Sequence, residues 1–134
     1  MPKNDLRNKL TDEQYFITQK KGTEMPFTGQ LLKEKRNGIY ICVCCESELF
    51  SSDHKFDSGT GWPSFFLVLA KDRIKTGKDE NHRRADGTYS GLEVVCSECD
   101  SHLGHVFEDG PQPSGLRYCI NSASLNFSIK ETEK

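Results

Sequence analysis

The sequence predicts a mostly antiparallel β domain with helical decoration at its N-terminus. From Gly38 onward the chain divides into short extended runs separated by turn dipeptides, and the segment before Gly38 carries the one well-punctuated helix. A length of 134 residues fits one domain over 1–134, with residues 1–9 expected as a flexible N-terminus.

The helix is expected over residues 10–21. Thr11 can cap it while Gln14 reaches back, the T-x-x-Q form of the capping box. Leu10 and Tyr15 suit a hydrophobic staple, and Gly22 suits the stop. Strands are expected over residues 39–42, 65–70, 92–96, 105–108, 117–120 and 124–129. Asp86-Gly87, Asp109-Gly110-Pro111 and Pro113-Ser114-Gly115 break the runs between them. Residues 71–89 are the most charged stretch and read as surface loop with a weak hairpin.

Hydrophobic residues make up 34% of the chain and charged residues 28%, so the core is lean. A chain this small buries only about two-thirds of its unfolded surface, which favours an added staple. The net charge of -2 offers no attraction to phosphate backbones or anionic membranes. No apolar run approaches the ~20 residues that cross a bilayer, and MPKNDLRNKL has no apolar signal core. The expectation is a cytoplasmic monomer with neither a nucleic-acid nor a membrane partner.

Cys42-Val-Cys-Cys45 and Cys96-Ser-Glu-Cys99 form two CxxC pairs. Four thiolates around one divalent ion suit Zn²⁺, and an all-sulfur shell leaves no open position, so the ion is structural. It would join two turns distant in sequence and couple metal binding to folding. A redox CxxC is the alternative, but it lacks a βαβ context and leaves the recurrence unexplained. Cys44 stands inside the first pair. Its adjacency to Cys45 makes joint chelation awkward, so Cys42 and Cys45 are the better ligands, with Cys96 and Cys99 opposite.

Cys119 is left over. In Leu116-Arg-Tyr-Cys-Ile-Asn-Ser122, alternation puts Arg117, Cys119 and Asn121 on one face. A guanidinium there is a means of lowering the thiol's pKa, and an Asn can donate to a thiolate or bound substrate. An ordinary free Cys on a half-buried strand is the competing reading. His102 and His105, in Ser101-His-Leu-Gly-His-Val-Phe, are candidates for delivering a proton to a leaving oxygen. Strict alternation separates them; a bulge or turn at Gly104 would bring them together. Asp109 can orient a His or pair with Arg117. Trp62, held extended before Pro63 in Gly59-Thr-Gly-Trp-Pro-Ser-Phe, offers an aromatic wall for a thioether methyl group, against the ordinary reading of a lone Trp as part of the core.

Taken together, these motifs resemble the methionine-R-sulfoxide reductase family. Leu10-Thr-x-x-Gln-Tyr, Thr23-Glu-x-Pro-Phe, the two CxxC pairs, Gly59-Thr-Gly-Trp-Pro-Ser-Phe, His102-Leu-Gly-His-Val-Phe and Arg117-Tyr-Cys-Ile-Asn-Ser follow one another in the family's order. The resemblance implies two antiparallel sheets in a rolled arrangement with short N-terminal helices. It implies one structural Zn²⁺ on Cys42, Cys45, Cys96 and Cys99, and Cys119 as nucleophile. It also implies His102, His105 and Asn121 around the sulfoxide oxygen, Trp62 against the substrate methyl, and Asp109 and Arg117 in support. The implied partners are methionine-R-sulfoxide, in proteins or free, and thioredoxin or another thiol reductant. The chain departs from the pattern at Thr60, where many members carry a resolving cysteine. Two readings compete: a zinc-ribbon module that binds a protein without catalysis, which leaves the polar face around Cys119 unexplained, and a nucleic-acid-binding zinc protein, which conflicts with the charge.

Overall fold

The computed structural model describes residues 10–20, 22–25, 27–78, 92–112 and 114–129. The expectations for residues 1–9, for Lys21, for residues 79–89 with Asp86-Gly87, and for Pro113 lie outside them.

Helix α1, Asp12–Gln19, begins as expected: Thr11 Oγ1 accepts from Gln14 N at 3.1 Å and Gln14 Oε1 from Thr11 N at 2.9 Å. Leu10 is buried in the core and Tyr15 packs against the same cluster. The helix is shorter than predicted, because Lys20 leaves helical geometry at φ -117° and Gly22 N folds back onto the Phe16 carbonyl at 3.2 Å.

Nine strands follow among the described residues: β1 Gly38–Cys42, β2 Glu48–Ser51, β3 Lys55–Phe56, β4 Ser64–Phe65, β5 Ile74–Lys78, β6 Leu92–Cys96, β7 His102–Phe107, β8 Arg117–Ile120 and β9 Leu125–Ile129. They form two sheets, ordered β2-β1-β9 and β3-β4-β8-β7-β6-β5, and every pairing is antiparallel. The mainly β expectation with two antiparallel sheets holds. An aromatic stack ties the sheets together. Phe50 of β2 lies flat on Phe65 of β4 at 4.5 Å, and Tyr40 of β1 meets Phe65 edge-on at 5.1 Å. Tyr118 of β8 approaches Phe50 at 5.9 Å, so the strand that carries Cys119 turns its opposite side to this core.

Three predicted elements change. The strand expected over residues 65–70 is only Ser64–Phe65; beyond it Leu69 N bonds to Leu49 O at 2.9 Å, outside the ladder. The charged stretch after residue 71 contains β5, which borrows its order from β6 through the Ile74↔Cys96 to Lys78↔Leu92 register. β7 starts at His102, three residues before the expected start at His105. Its pairing with β6 skips Leu103: Val94 faces Gly104 and Val95 faces His102. This bulge breaks the alternation and brings His102 and His105 together.

Candidate active site and metal centre

The two CxxC pairs close strands β1 and β6 with the same turn. Cys42 O accepts from Glu46 N at 2.8 Å, and Cys42 N donates to Ser47 O at 2.9 Å. In the second turn Cys96 O accepts from Asp100 N at 2.8 Å, and Cys96 N donates to Ser101 O at 2.9 Å. Glu46 and Asp100 both sit in the left-handed region, at φ 67° and 62°. The duplicated unit is therefore Cys-x-x-Cys, an acidic residue and a serine, a longer pattern than the cysteine spacing alone suggested.

The four sulfurs of Cys42, Cys45, Cys96 and Cys99 all lie within 4.8 Å of one another. Across the turns Cys42 Sγ is 3.6 Å from Cys99 Sγ, and Cys45 Sγ is 3.5 Å from Cys96 Sγ. Thiolates at ~2.3 Å from a tetrahedral ion stand about 3.8 Å apart, so these residues fit a shared cation. Burial pushes the Cys45 thiol up to about 12, so holding all four sulfurs as thiolates would take a cation among them. Cys44 is outside the quartet and fully buried, and Gln19 Nε2 donates to it at 3.6 Å and to Ser101 Oγ at 3.2 Å.

Cys119 opens onto a cleft of about 150 Å³ lined by Thr23, Trp62, Gly104, His105, Phe107, Cys119 and Asn121. The glycine at 104 permits it: a Cβ there would stand 2.1 Å from the Cys119 carbonyl, so only Gly lets β7 and β8 pair with Gly104 opposite Ile120 and His105 opposite Cys119. The loop before β4 closes another side. Gly59 and Gly61 take φ 77° and 96°, and Thr60 Oγ1 comes within 3.9 Å of Cys119 Sγ. Ser58 Oγ holds that threonine at 2.8 Å and Ser64 Oγ at 2.7 Å.

Of the two histidines, His105 lines the cleft. His102, 2% exposed, does not; its Nδ1 pairs with Glu93 Oε2 at 2.9 Å, and its ring meets that of His105 edge-on at 5.5 Å. Its Nε2 has no hydrogen-bond partner among the described residues. Asp109 pairs with Arg117 rather than orienting a histidine: Arg117 Nε and an Nη donate to its two oxygens at 2.8 and 3.2 Å, and the guanidinium lies over Phe107 at 4.3 Å. The expected depression of the Cys119 pKa is not what the site produces. Burial raises it, and the thiolate-stabilising contributions of Thr60 and Arg117 only partly offset that.

Asn121 is buried behind Cys119. Its Nδ2 donates to Leu103 O at 3.1 Å and its Oδ1 accepts from Glu24 N at 3.1 Å, leaving one amide hydrogen for other use. Its main-chain N also donates to Leu103 O, at 2.9 Å, so the bulge is held from β8's end. Sequence reasoning gave Glu24 and Glu93 no role. A carboxylate three residues before the first cysteine of the second pair, and another in Thr23-Glu, were the only signals available.

Fold and site thus define a β protein with a four-thiol metal knuckle and a separate cysteine in a small aromatic cleft. The chain belongs to the SelR domain family, which matches residues 10–129. Its relatives include three proteins each named peptide methionine sulfoxide reductase MsrB. That of Methanosarcina mazei is 54% identical over 95% of this chain and 87% of its own length. That of Methanosarcina barkeri is 55% identical over 93% of this chain and 84% of its own. That of Hahella chejuensis is 54% identical over 92% and 85%.

Proposed function

We propose that the protein reduces the R epimer of methionine sulfoxide to methionine, with Cys119 as nucleophile. The observation that carries this reading is the cleft itself. It sets the one cysteine outside the metal turns against an indole, an imidazole and an amide. The Cys119 thiolate attacks the sulfoxide sulfur while His105 supplies a proton to the oxygen, with His102 behind it. The intermediate then collapses with its protonated oxygen passing from the substrate sulfur to the Cys119 sulfur, giving methionine and a Cys119 sulfenic acid, so the substrate is reduced by two electrons and the cysteine oxidised by two. Trp62 forms the wall for the methyl group, Asn121 a donor toward the oxygen, and the Arg117 guanidinium, held in place by Asp109, a positive charge beside the thiolate.

One Zn²⁺ on Cys42, Cys45, Cys96 and Cys99 serves folding and supplies no catalytic position. Thioredoxin or another external thiol restores Cys119, because Thr60 cannot form a disulfide and Cys44 is buried outside the cleft. The proposal includes protein-bound or free substrate, a single domain over 1–134, and a monomer acting in the cytoplasm. An assay with the separated epimers and a dithiol tests the activity: consumption of the R epimer alone is expected, and equal rates on both would sink it. A protein-binding zinc module would leave either epimer untouched.

A further inference from the structure

We infer that Glu24 is a positioning residue that fixes the two sides of the cleft relative to each other and so sets how tightly and how selectively the sulfoxide is held. The inference rests on the activity proposed above. Glu24 is 4% exposed and does not line the cleft, yet it reaches both of its sides. Its carbonyl accepts from Trp62 Nε1 at 3.0 Å, and its amide N donates to Asn121 Oδ1 at 3.1 Å. Its carboxylate takes the main-chain N–H groups of Ser122 and Ala123, each at 2.9 Å.

These four bonds have a division of labour. The side chain locks residue 24 onto the turn Ser122–Ser124 that ends β8. The main chain, held there, presents its C=O to the indole and its N–H to the amide. No other residue bonds both to Trp62 and to Asn121 among the described residues. Buried carboxylates are costly unless their oxygens are satisfied. The burial cost, which raises the Glu24 pKa, is countered here by the two N–H groups it accepts. A buried acid in a chain with a lean core thus stands at the point where the methyl wall and the oxygen-side amide must be held at fixed separation.

The test uses the zinc-loaded full chain and the variants Glu24→Gln and Glu24→Asp. Gln keeps the volume but turns an amide NH₂ toward one of the two N–H groups; Asp keeps the charge but withdraws it by a methylene. Both should raise KM for the R epimer about tenfold while kcat changes far less, the pattern of lost ground-state positioning. The ratio of R to S turnover should fall. Trp62 is the only tryptophan in the chain, so its emission reports the same contact directly; it should change and become more open to acrylamide quenching. Variants with parent KM, epimer ratio and emission would overturn the inference. So would a loss of melting temperature with those three unchanged, which is the mark of a purely structural residue. If the parent chain reduces neither epimer, the activity reading fails, while the emission and quenching of Trp62 still decide whether Glu24 holds it.

Discussion

The cysteine cluster is made from one local unit used twice, whereas the cleft is assembled from four separated segments. Each half of the cluster closes its own turn within six residues: the first cysteine's C=O accepts from Glu46 N or Asp100 N, and its N–H donates to Ser47 O or Ser101 O. The cleft has no such self-sufficiency. Thr23 and Glu24, the loop from Ser58 to Ser64, β7 with its bulge, and the end of β8 meet only through contacts spanning up to 99 positions. The difference teaches where each kind of damage should fall. Loss at the cluster removes a cross-link and so costs the fold, while loss in the cleft can remove chemistry and leave the fold standing.

The largest expected effect is on chemistry alone. Cys119→Ser should bring turnover to background with zinc content and melting temperature as in the parent, since volume is nearly kept and only the proposed nucleophile is lost. Activity and metal analysis on one sample check it; substantial residual turnover, or metal loss, would erase the distinction between the two regions. The reverse pattern is expected at the cluster. Cys45→Ser or Cys99→Ser should release metal and lower the melting temperature by roughly 10 °C or more, because the metal's binding energy is folding energy. A metal-free variant that melts like the parent would show that the cluster does not staple the fold.

Smaller effects sharpen the picture of the cleft. With Thr60 Oγ1 3.9 Å from Cys119 Sγ, in a loop flanked by two glycines, Thr60→Cys should form a disulfide with Cys119 after one turnover. Two free thiols in that oxidised variant would place the loop elsewhere. The Cys119 pKa is raised by burial and drawn down by Arg117, so alkylation of Cys119 should rise with pH with a midpoint above that of an ordinary thiol. Arg117→Met removes the cation that favours the thiolate, and its midpoint should move further up. A midpoint that moves down would mean that Arg117 does not act on the sulfur.

What could be read in advance follows the same division. The capping box, the CxxC pairs and the two faces around β8 are local patterns, and all three survive in the structure, with Leu116, Tyr118 and Ile120 on the core and Cys119 and Asn121 on the cleft. β2 and β5 were hidden because each is ordered by its partner strand rather than by its own composition. The meeting of His102 with His105 was foreseen only as a condition; the unpaired residue that meets it is Leu103, held through its carbonyl by Asn121. Glu24 could not be read at all. Nothing near it in sequence announces that its carboxylate will find the backbone of residues 122 and 123. The direction of the Cys119 shift was likewise beyond reach, since it depends on burial more than on the visible arginine.

The most direct test of the division between a reacting cysteine and four holding ones is a single turnover without reductant. One equivalent of the R sulfoxide should convert to methionine and leave a trappable sulfenic acid at Cys119, identified by mass spectrometry, with Cys42, Cys45, Cys96 and Cys99 unmodified and zinc retained. Oxidation at the cluster cysteines, or a Cys44–Cys119 disulfide in high yield, would contradict it.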